Sequence, residues 1–339
     1  MKARDYMPAV KYGAKWYPED IVNGEGPSWG KYWFVDGNKS VDGDVGDSWE
    51  SATKTIQKAI DYASDGDTIF VKPKVPGIWD PVAYEETLII PYTTTQLSII
   101  GVSTASVYGS QPLVAVTSGT TPCLKIRAPG CRISNMSFSA TGATGGGGIC
   151  LDDNSSTKSA YGTTIDHCYF YECLASGNLV AAGGAVYWTA EGGAWQLRVL
   201  DNYFMACSAG VNLLGTSQSR PTDVLIRGNT FASWVNTQIE CDVYLAGGSG
   251  AQGVVIDSNY FASVDGIGGT EAHYLNLTGC EGILSNNMFA CITGEAETEL
   301  SFGASTHTAA KIPTTVRMAN NWGETGTAGA VDQGMIFRT

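Results

Sequence analysis

VVIDSNYF, residues 254–261, is one of seven versions of a single phrase. The others are RISNMSF (132–138), TIDHCYF (164–170), LDNYF (200–204), LIRGNTF (225–231), ILSNNMF (283–289) and VRMANNW (316–322). Each runs a β-branched or leucine strand into an asparagine and then an aromatic. The aromatics Phe138, Phe170, Phe204, Phe231, Phe261, Phe289 and Trp322 lie 27 to 34 residues apart. A near-constant period with slack for loops marks a solenoid. A second strand-like phrase accompanies each repeat: GICL (148–151), AVYWT (185–189), VNLL (211–214), DVYLA (242–246), HYLNL (273–277) and ELSF (299–302). Two or more short strands per turn, without a leucine template or long helices, predict an all-β, single-stranded parallel β-helix.

In such a stack an inward residue sits on its equivalents about 4.8 Å away. The seven aromatics, Trp322 included, therefore predict a stacked interior ladder. Asn135, Asn202, Asn229, Asn259, Asn287 and Asn321 predict a second ladder at the turn, where asparagine tolerates unusual backbone angles and bonds its amide along the stack. His167 stands near the Asn position of its repeat and reads first as a turn residue, second as a catalytic one. Cys173, Cys207 and Cys291 follow their aromatics where Ser233 and Ser263 also occur, which reads as small-residue packing.

Upstream, residues 1–34 hold Tyr6, Tyr12, Trp16, Tyr17, Trp29, Tyr32, Trp33 and Phe34 without a regular period. This aromatic segment either packs on the body or anchors a partner, with Tyr12, Trp16, Tyr17, Trp29 and Trp33 as contact candidates. Residues 35–66 read as an acidic turn and an amphipathic helix that caps the open end of the stack. Asp47 is its expected N-cap, Glu50 completes a capping box, and Ile56, Ala59, Ile60 and Ala63 form its apolar face. Strands follow at Asp67–Val71, Thr87–Ile90 and Leu97–Ile100. The β-helix is expected over 67–322, and 323–339 as a tail or cap.

The chain has 339 residues, with 33 acidic against 20 basic ones and a net charge of −13. No dense basic footprint exists, which argues against a nucleic-acid partner. The 43% hydrophobic content argues against disorder. The N-terminus, MKARDYMPAVKYGAKWYPED, lacks the apolar run of a signal peptide, and no apolar stretch is long enough for a membrane-spanning helix. Nine scattered cysteines without a CxxC pair, and only three histidines, do not suit zinc. They read as buried thiols suited to a reducing cytoplasm, with disulfides as the alternative.

The stretches SWESATKTIQKAIDYASDGDTIFVKP (48–73), YEETLIIP (84–91) and LSIIGV (97–102) resemble the N-terminal entry of right-handed parallel β-helix proteins of the pectin-lyase-like superfamily. The resemblance implies a right-handed coil whose first turn is capped by that helix, over roughly Trp33 to Trp322. The superfamily includes polysaccharide lyases, glycoside hydrolases, bacteriophage tailspikes and virion proteins of head-decoration type. Of the polygalacturonase-like motifs only the Asp pair is matched, by Asp152 and Asp153. The pectate-lyase-like arginine base finds no motif around Arg127, Arg132, Arg198, Arg220 or Arg227.

A glycosidase needs two carboxylates across a groove. Asp152, Asp153, Glu191, Glu240, Asp242 and Glu271 lie in or beside the second-strand phrases, with Trp188, Trp195 and Tyr244 as sugar-contact candidates. Solvated turns are the plainer reading of the same residues. Asp36, Asp42 and Asp44, ahead of Asp47, are calcium candidates, although a turn is the plainer reading. No other cofactor is expected. Gly145–Gly148 reads as a tight bend or a close contact between molecules.

Two functions of different class follow. The favoured expectation is a virion structural protein: a capsid-decoration or tail-associated β-helix made in a host cytoplasm. Its expected partners are other virion proteins, further copies of itself (a trimer among the options) and a surface glycan. The alternative is a polysaccharide-degrading lyase or glycoside hydrolase using a carboxylate pair on one face. A glycan-binding adhesin without turnover is a third reading.

Overall fold

The computed structural model describes residues 30–43, 45–74, 81–103, 110–117, 121–141, 146–155, 158–174, 183–188, 194–213, 220–233, 241–245, 250–263, 273–290, 310–327 and 330–336. These residues form a parallel β-solenoid. Three sheets run along it, of ten, nine and eight strands, and the chain visits them in turn. Face 1 starts at Tyr32–Val35 and ends at Val316–Ala319. Face 2 starts at Leu113–Ala115 and ends in an antiparallel hairpin, Asn321–Thr327 with Ala330–Ile336. Face 3 runs from Leu88–Ile90 to Ala310–Lys311.

Alternation within these short strands decides which side chains are interior. On face 1 the register places Ile133 between Ile99 and Ile165, then Val199, Ile226, Ile256 and Leu284, all buried. On face 2 the expected aromatic ladder forms. The Phe138, Phe170, Phe204, Phe231, Phe261 and Phe289 rings stack at 4.7–5.3 Å, the later pairs within 10° of parallel. Stacked rings at the rung spacing combine large apolar burial with favourable ring contact. Trp322 is not part of it. It pairs with Met288 on the outer side and is 48% exposed, while Gly323 takes the place opposite Phe289.

The repeat phrase spans two strands with a two-residue corner between faces 1 and 2. The first corner residue is left-handed in each rung: Asn135, His167, Asp201, Ser258, Asn286 and Asn320 have φ of 51–56°, and Gly228 69°. The second points inward, and there the asparagine ladder lies, from Asn202 through Asn229, Asn259 and Asn287 to Asn321. Each Oδ1 accepts from the main-chain N–H of the preceding rung's corner residue, and between successive asparagines the preceding Nδ2 also donates to it, at 2.8–3.1 Å. Each Nδ2 also donates to a carbonyl of the preceding rung, Ile165, Val199, Ile226, Ile256 or Leu284. Asn135 belongs to the outer, left-handed column instead, because its repeat carries one asparagine and places it one residue early. The inner position there is Met136, and in the next rung Cys168.

Three further expectations are corrected at the N-terminal end. Tyr32–Val35, whose first three residues were assigned to the arm, is the first strand of face 1 and pairs with Thr68–Val71. Helix α1 spans only Ile56–Tyr62, burying Ile56, Ala59 and Ile60 against Tyr32–Val35, Thr68–Val71 and Leu88–Ile90. Its N-cap is Thr55, without a side-chain bond, and not Asp47, whose carboxylate accepts from Ser51 Oγ at 2.6 Å. The 46–53 segment instead lines the strand edge: Phe34 N–H donates to the Gly46 carbonyl and Thr53 N–H to the Phe34 carbonyl. The cap comes from elsewhere. The Glu86 carboxylate accepts from the N–H groups of Ile56 (3.1 Å) and Gln57 (3.0 Å).

Gly147 and Gly148 are strand residues rather than a bend. A Cβ at Gly147 would lie 2.1 Å from the Gly184 carbonyl, and one at Gly148 2.9 Å from the Phe170 ring, so the close contact is within the chain. The phrase ELSF, the segment 1–29 and Cys291 lie outside the described residues. The eight described cysteines are all buried, and no disulfide joins any two of them.

Candidate functional site

Of the residues expected to form a carboxylate site, the two whose side chains are described, Asp152 and Asp242, do not come together. Asp152 directly follows the face 3 strand Gly147–Leu151 and is held by Arg127 Nε at 3.1 Å and Lys125 Nζ at 3.6 Å, two cations that compensate its charge. Asp242 is buried three rungs away, counted from Ile149 through Val186 and Val211 to Val243. Asp153 is placed in a short antiparallel pair with Ser159. Glu191, Glu240 and Glu271 lie outside the described residues. Among the aromatic candidates, Trp188 is in the core beside Leu151 and presents no surface to a sugar. Trp195 is 36% exposed and donates Nε1–H to the Arg220 carbonyl, and Tyr244 is half-buried against Ala209 and Cys241.

The two calcium candidates that are described are paired with lysines. Asp36 pairs with Lys72 at 3.1 Å and Asp42 with Lys58 at 2.8 Å, and Asp44 lies outside the described residues. Trp33 donates Nε1–H to Asp67 at 2.8 Å, a contact within the solenoid. Among the described residues no three His, Cys, Asp or Glu side chains converge as metal ligands.

A chemically competent grouping lies instead at the corner of the two rungs that lack the inner asparagine. Asp166 ends a face 1 strand, and its side chain is only 5% exposed. Its Oδ1 accepts from Arg132 Nε at 2.9 Å. Its Oδ2 accepts from Arg132 Nη2 at 2.8 Å, Ser134 Oγ at 2.9 Å and His167 Nδ1 at 3.0 Å. Burial works to raise the Asp166 pKa, but hydrogen bonds from Arg132, His167 and Ser134, with the Arg132 charge, outweigh it and hold the carboxyl below its usual range. The same contact raises Arg132. An ionised carboxylate is acceptor only, so Nδ1 of His167 carries the proton and Nε2 is the basic nitrogen.

The His167 side chain is 53% exposed. Its left-handed backbone is fixed from the other side by Gln111, a buried residue that the sequence did not single out. Gln111 Nε2 donates to the His167 carbonyl (2.7 Å) and Asn135 Oδ1 (2.8 Å), and its Oε1 accepts from Ser137 Oγ (3.0 Å). One rung on, Asp201 takes the same left-handed corner position and is exposed. A Cβ at Gly228 would fall 2.1 Å from Asp201 Oδ1, so glycine there leaves room for that carboxylate. The thiol nearby is a poor nucleophile: burial pushes Cys168 up to about 12.

The signal for this site was the break in the repeat. TIDHCYF replaces the inner asparagine by Cys168 and puts a histidine at the outer corner, directly after an aspartate.

No known family matches the chain, and no curated protein does. Among solved structures it is similar to the pectin methylesterase of Aspergillus niger, at 13% identity and TM-score 0.37 over 90% of this chain and 88% of that one. It is similar to Escherichia coli ybhc (12%, TM-score 0.42, 86% and 84%) and to PfbA, a surface adhesin of Streptococcus pneumoniae (12%, TM-score 0.35, 88% and 79%). Likenesses this distant say nothing of chemistry, and the parallel β-helix assignment rests on the strand register above.

Proposed function

We propose that this chain acts on a polysaccharide, with His167 as the group that moves a proton and Asp166 as the residue that orients it. The observation that carries this reading is an exposed imidazole whose Nδ1 is tied to a buried, ionised carboxylate, itself gripped by an arginine. That arrangement fixes the tautomer and ring direction and leaves Nε2 as a general base. Arg132 and Ser134 position Asp166. Asp201, one rung of about 4.8 Å further on, is the exposed acid–base partner in place of the carboxylate pair expected on face 3. The reactions within reach are hydrolysis, with Nε2 activating water, and elimination, with Nε2 taking a proton from a sugar carbon.

The virion role, expected also from the cytoplasmic character of the chain, loses ground because it rested first on broken catalytic motifs in a body with little beyond the solenoid, and second on the aromatic arm. The first is answered by Asp166 and His167. Of the second, only the segment from residue 30 onward is described, and it is part of the solenoid. The test is a depolymerisation screen of the full chain on uronate-rich, capsular and neutral polysaccharides, following reducing ends and unsaturated products. Release of defined oligosaccharides that falls 100-fold or more in His167→Ala and Asp166→Asn is the expected result, in line with the usual contribution of about 10²–10⁴ from general acid–base catalysis. Full turnover in His167→Ala, or no product from folded protein across the panel, overturns it.

A further inference from the structure

The outer side of face 2 carries one residue per rung in a single file: Tyr169, Tyr203, Thr230, Tyr260, Met288 and Trp322. The register makes them direct neighbours. The Tyr169 and Tyr203 rings stack 4.9 Å apart at 10°. Exposure rises along the file, from half-buried tyrosines at its start to 37% at Tyr260 and Met288 and 48% at Trp322. Before Tyr169 the same position is taken by Ser137 and Leu113, both buried. The file therefore begins beside His167, two residues away in the same corner, and runs only toward the C-terminal end.

We infer that this file is a track for a linear polysaccharide that extends from His167 toward Trp322. Its shape selects the occupant. Five rung steps give a strip about 24 Å long and one residue wide. Its area is on the order of 200 Å², whereas a stable protein–protein interface needs about 800 Å² on each partner. A second copy of the chain or a globular partner is poorly served by such a strip, while an extended polymer covers it along its length. The chemistry agrees. A sugar ring has apolar C–H faces and a hydroxyl edge, and the file offers apolar side chains, most exposed at Tyr260, Met288 and Trp322, bordered by the exposed polar corner residues Asp201, Ser258, Asn286 and Asn320. Because the strip lies on one side of His167, the bound polymer is engaged asymmetrically, and long chains gain contacts that short ones do not.

This inference rests on the proposed function for the position of the reacting end, but its test is separate. Binding of xylohexaose, hexagalacturonate and their trimers to the full chain is followed by titration calorimetry, with the oligomeric state checked by sedimentation. Tyr260→Ala and Trp322→Ala change exposed side chains, and unchanged melting curves show that the fold is kept. The expected result is at least fivefold weaker binding of the better hexamer in each variant, with trimer binding unchanged. Hexamer binding equal to that of the parent, or altered self-association in place of altered binding, overturns the track. In His167→Ala the hexamer is expected to bind normally and not to be turned over. If His167→Ala retains turnover while Tyr260→Ala and Trp322→Ala weaken binding, the track stands and the catalytic reading falls.

Discussion

The corner between faces 1 and 2 is built in two ways. From Asn202 to Asn321 its polar groups point inward, as a buried file of amides in which each Oδ1 from Asn229 onward accepts two N–H bonds. At Met136 and Cys168 the inside is apolar, and the polar groups lie on the outer side, in Ser134, Asn135, Asp166 and His167 under the hold of Gln111. The two stretches meet at one bond, from Cys168 N–H to Asn202 Oδ1 at 2.8 Å. A buried amide is satisfied only if its neighbours above and below take part, so the inner ladder is self-consistent and chemically silent. Where it stops, the same corner is free to present an imidazole and a carboxylate outward. The candidate site sits at that seam.

Breaking the ladder is the strongest way to test this contrast. Asn259→Ala removes both bonds from Asn229 and leaves the Ile226 carbonyl and Asn287 Oδ1 short of a donor. At about 1–3 kcal/mol for each buried group left unsatisfied, a loss of about 3 kcal/mol or more is expected in chemical denaturation. A loss below about 1 kcal/mol would remove the asparagines from the list of structural devices.

The outer stretch has a smaller and pH-dependent effect. Asp166 is held below the usual carboxylate range, so on acidification the unfolded state takes up its proton first. The stability it contributes is present above about pH 4 and is lost as the pH falls through its lower folded value. Asp166→Asn is therefore expected to be less stable by about 1–2 kcal/mol at neutral pH, with the gap to the parent closing in acid. Denaturation curves at several pH values read this directly, and a gap that is constant with pH contradicts it.

The seam itself can be moved. Cys168 Sγ lies 3.6 Å from the Ile133 carbonyl, the acceptor an asparagine in that rung would use. Cys168→Asn is expected to extend the ladder by one rung and to change stability by less than about 1 kcal/mol, toward the stable side. The smallest effect is expected at the left-handed column. Ser258 has φ 55°, where Gly228 stands one rung earlier. Relief of about 1–2 kcal/mol of left-handed strain, offset by about 0.5–1 kcal/mol of glycine entropy, leaves Ser258→Gly stabilised by roughly 0.5 kcal/mol. Thermal melts resolve a difference of that size.

The solenoid was legible because its determinants are local and repeated. An aliphatic residue in the face 1 column from Ile99 to Leu284 and a phenylalanine in the face 2 column from Phe138 to Phe289 need only the period to be read. Columns could be misassigned by one residue where a repeat carried a single asparagine, as at Asn135, or ended in a different element, as at Trp322. Asp47 looked like a helix cap because the pull of the neighbouring strand edge on 46–53 has no sequence pattern. The candidate site was harder still. Arg132 and Asp166 are 34 residues apart, and Gln111 and His167 are 56 apart. Such pairs become neighbours only through rung stacking and a loop of particular length, so composition near either residue could not announce them. Asp152 and Asp242 drew attention for the opposite reason: both stand in or beside strand phrases, yet they lie three rungs apart, and Asp152 is compensated by Lys125 and Arg127.

The borrowed cap of helix α1 bears on how the chain folds. A seven-residue helix without a cap of its own is too short to persist alone. Its first two free N–H groups are satisfied by a carboxylate 29 and 30 residues downstream. The N-terminal end therefore cannot mature as the chain emerges from the ribosome. It must wait until Glu86 and the first strand of face 3 have been made, which makes that stretch a checkpoint for starting the coil and leaves later rungs to add by templating on the one before.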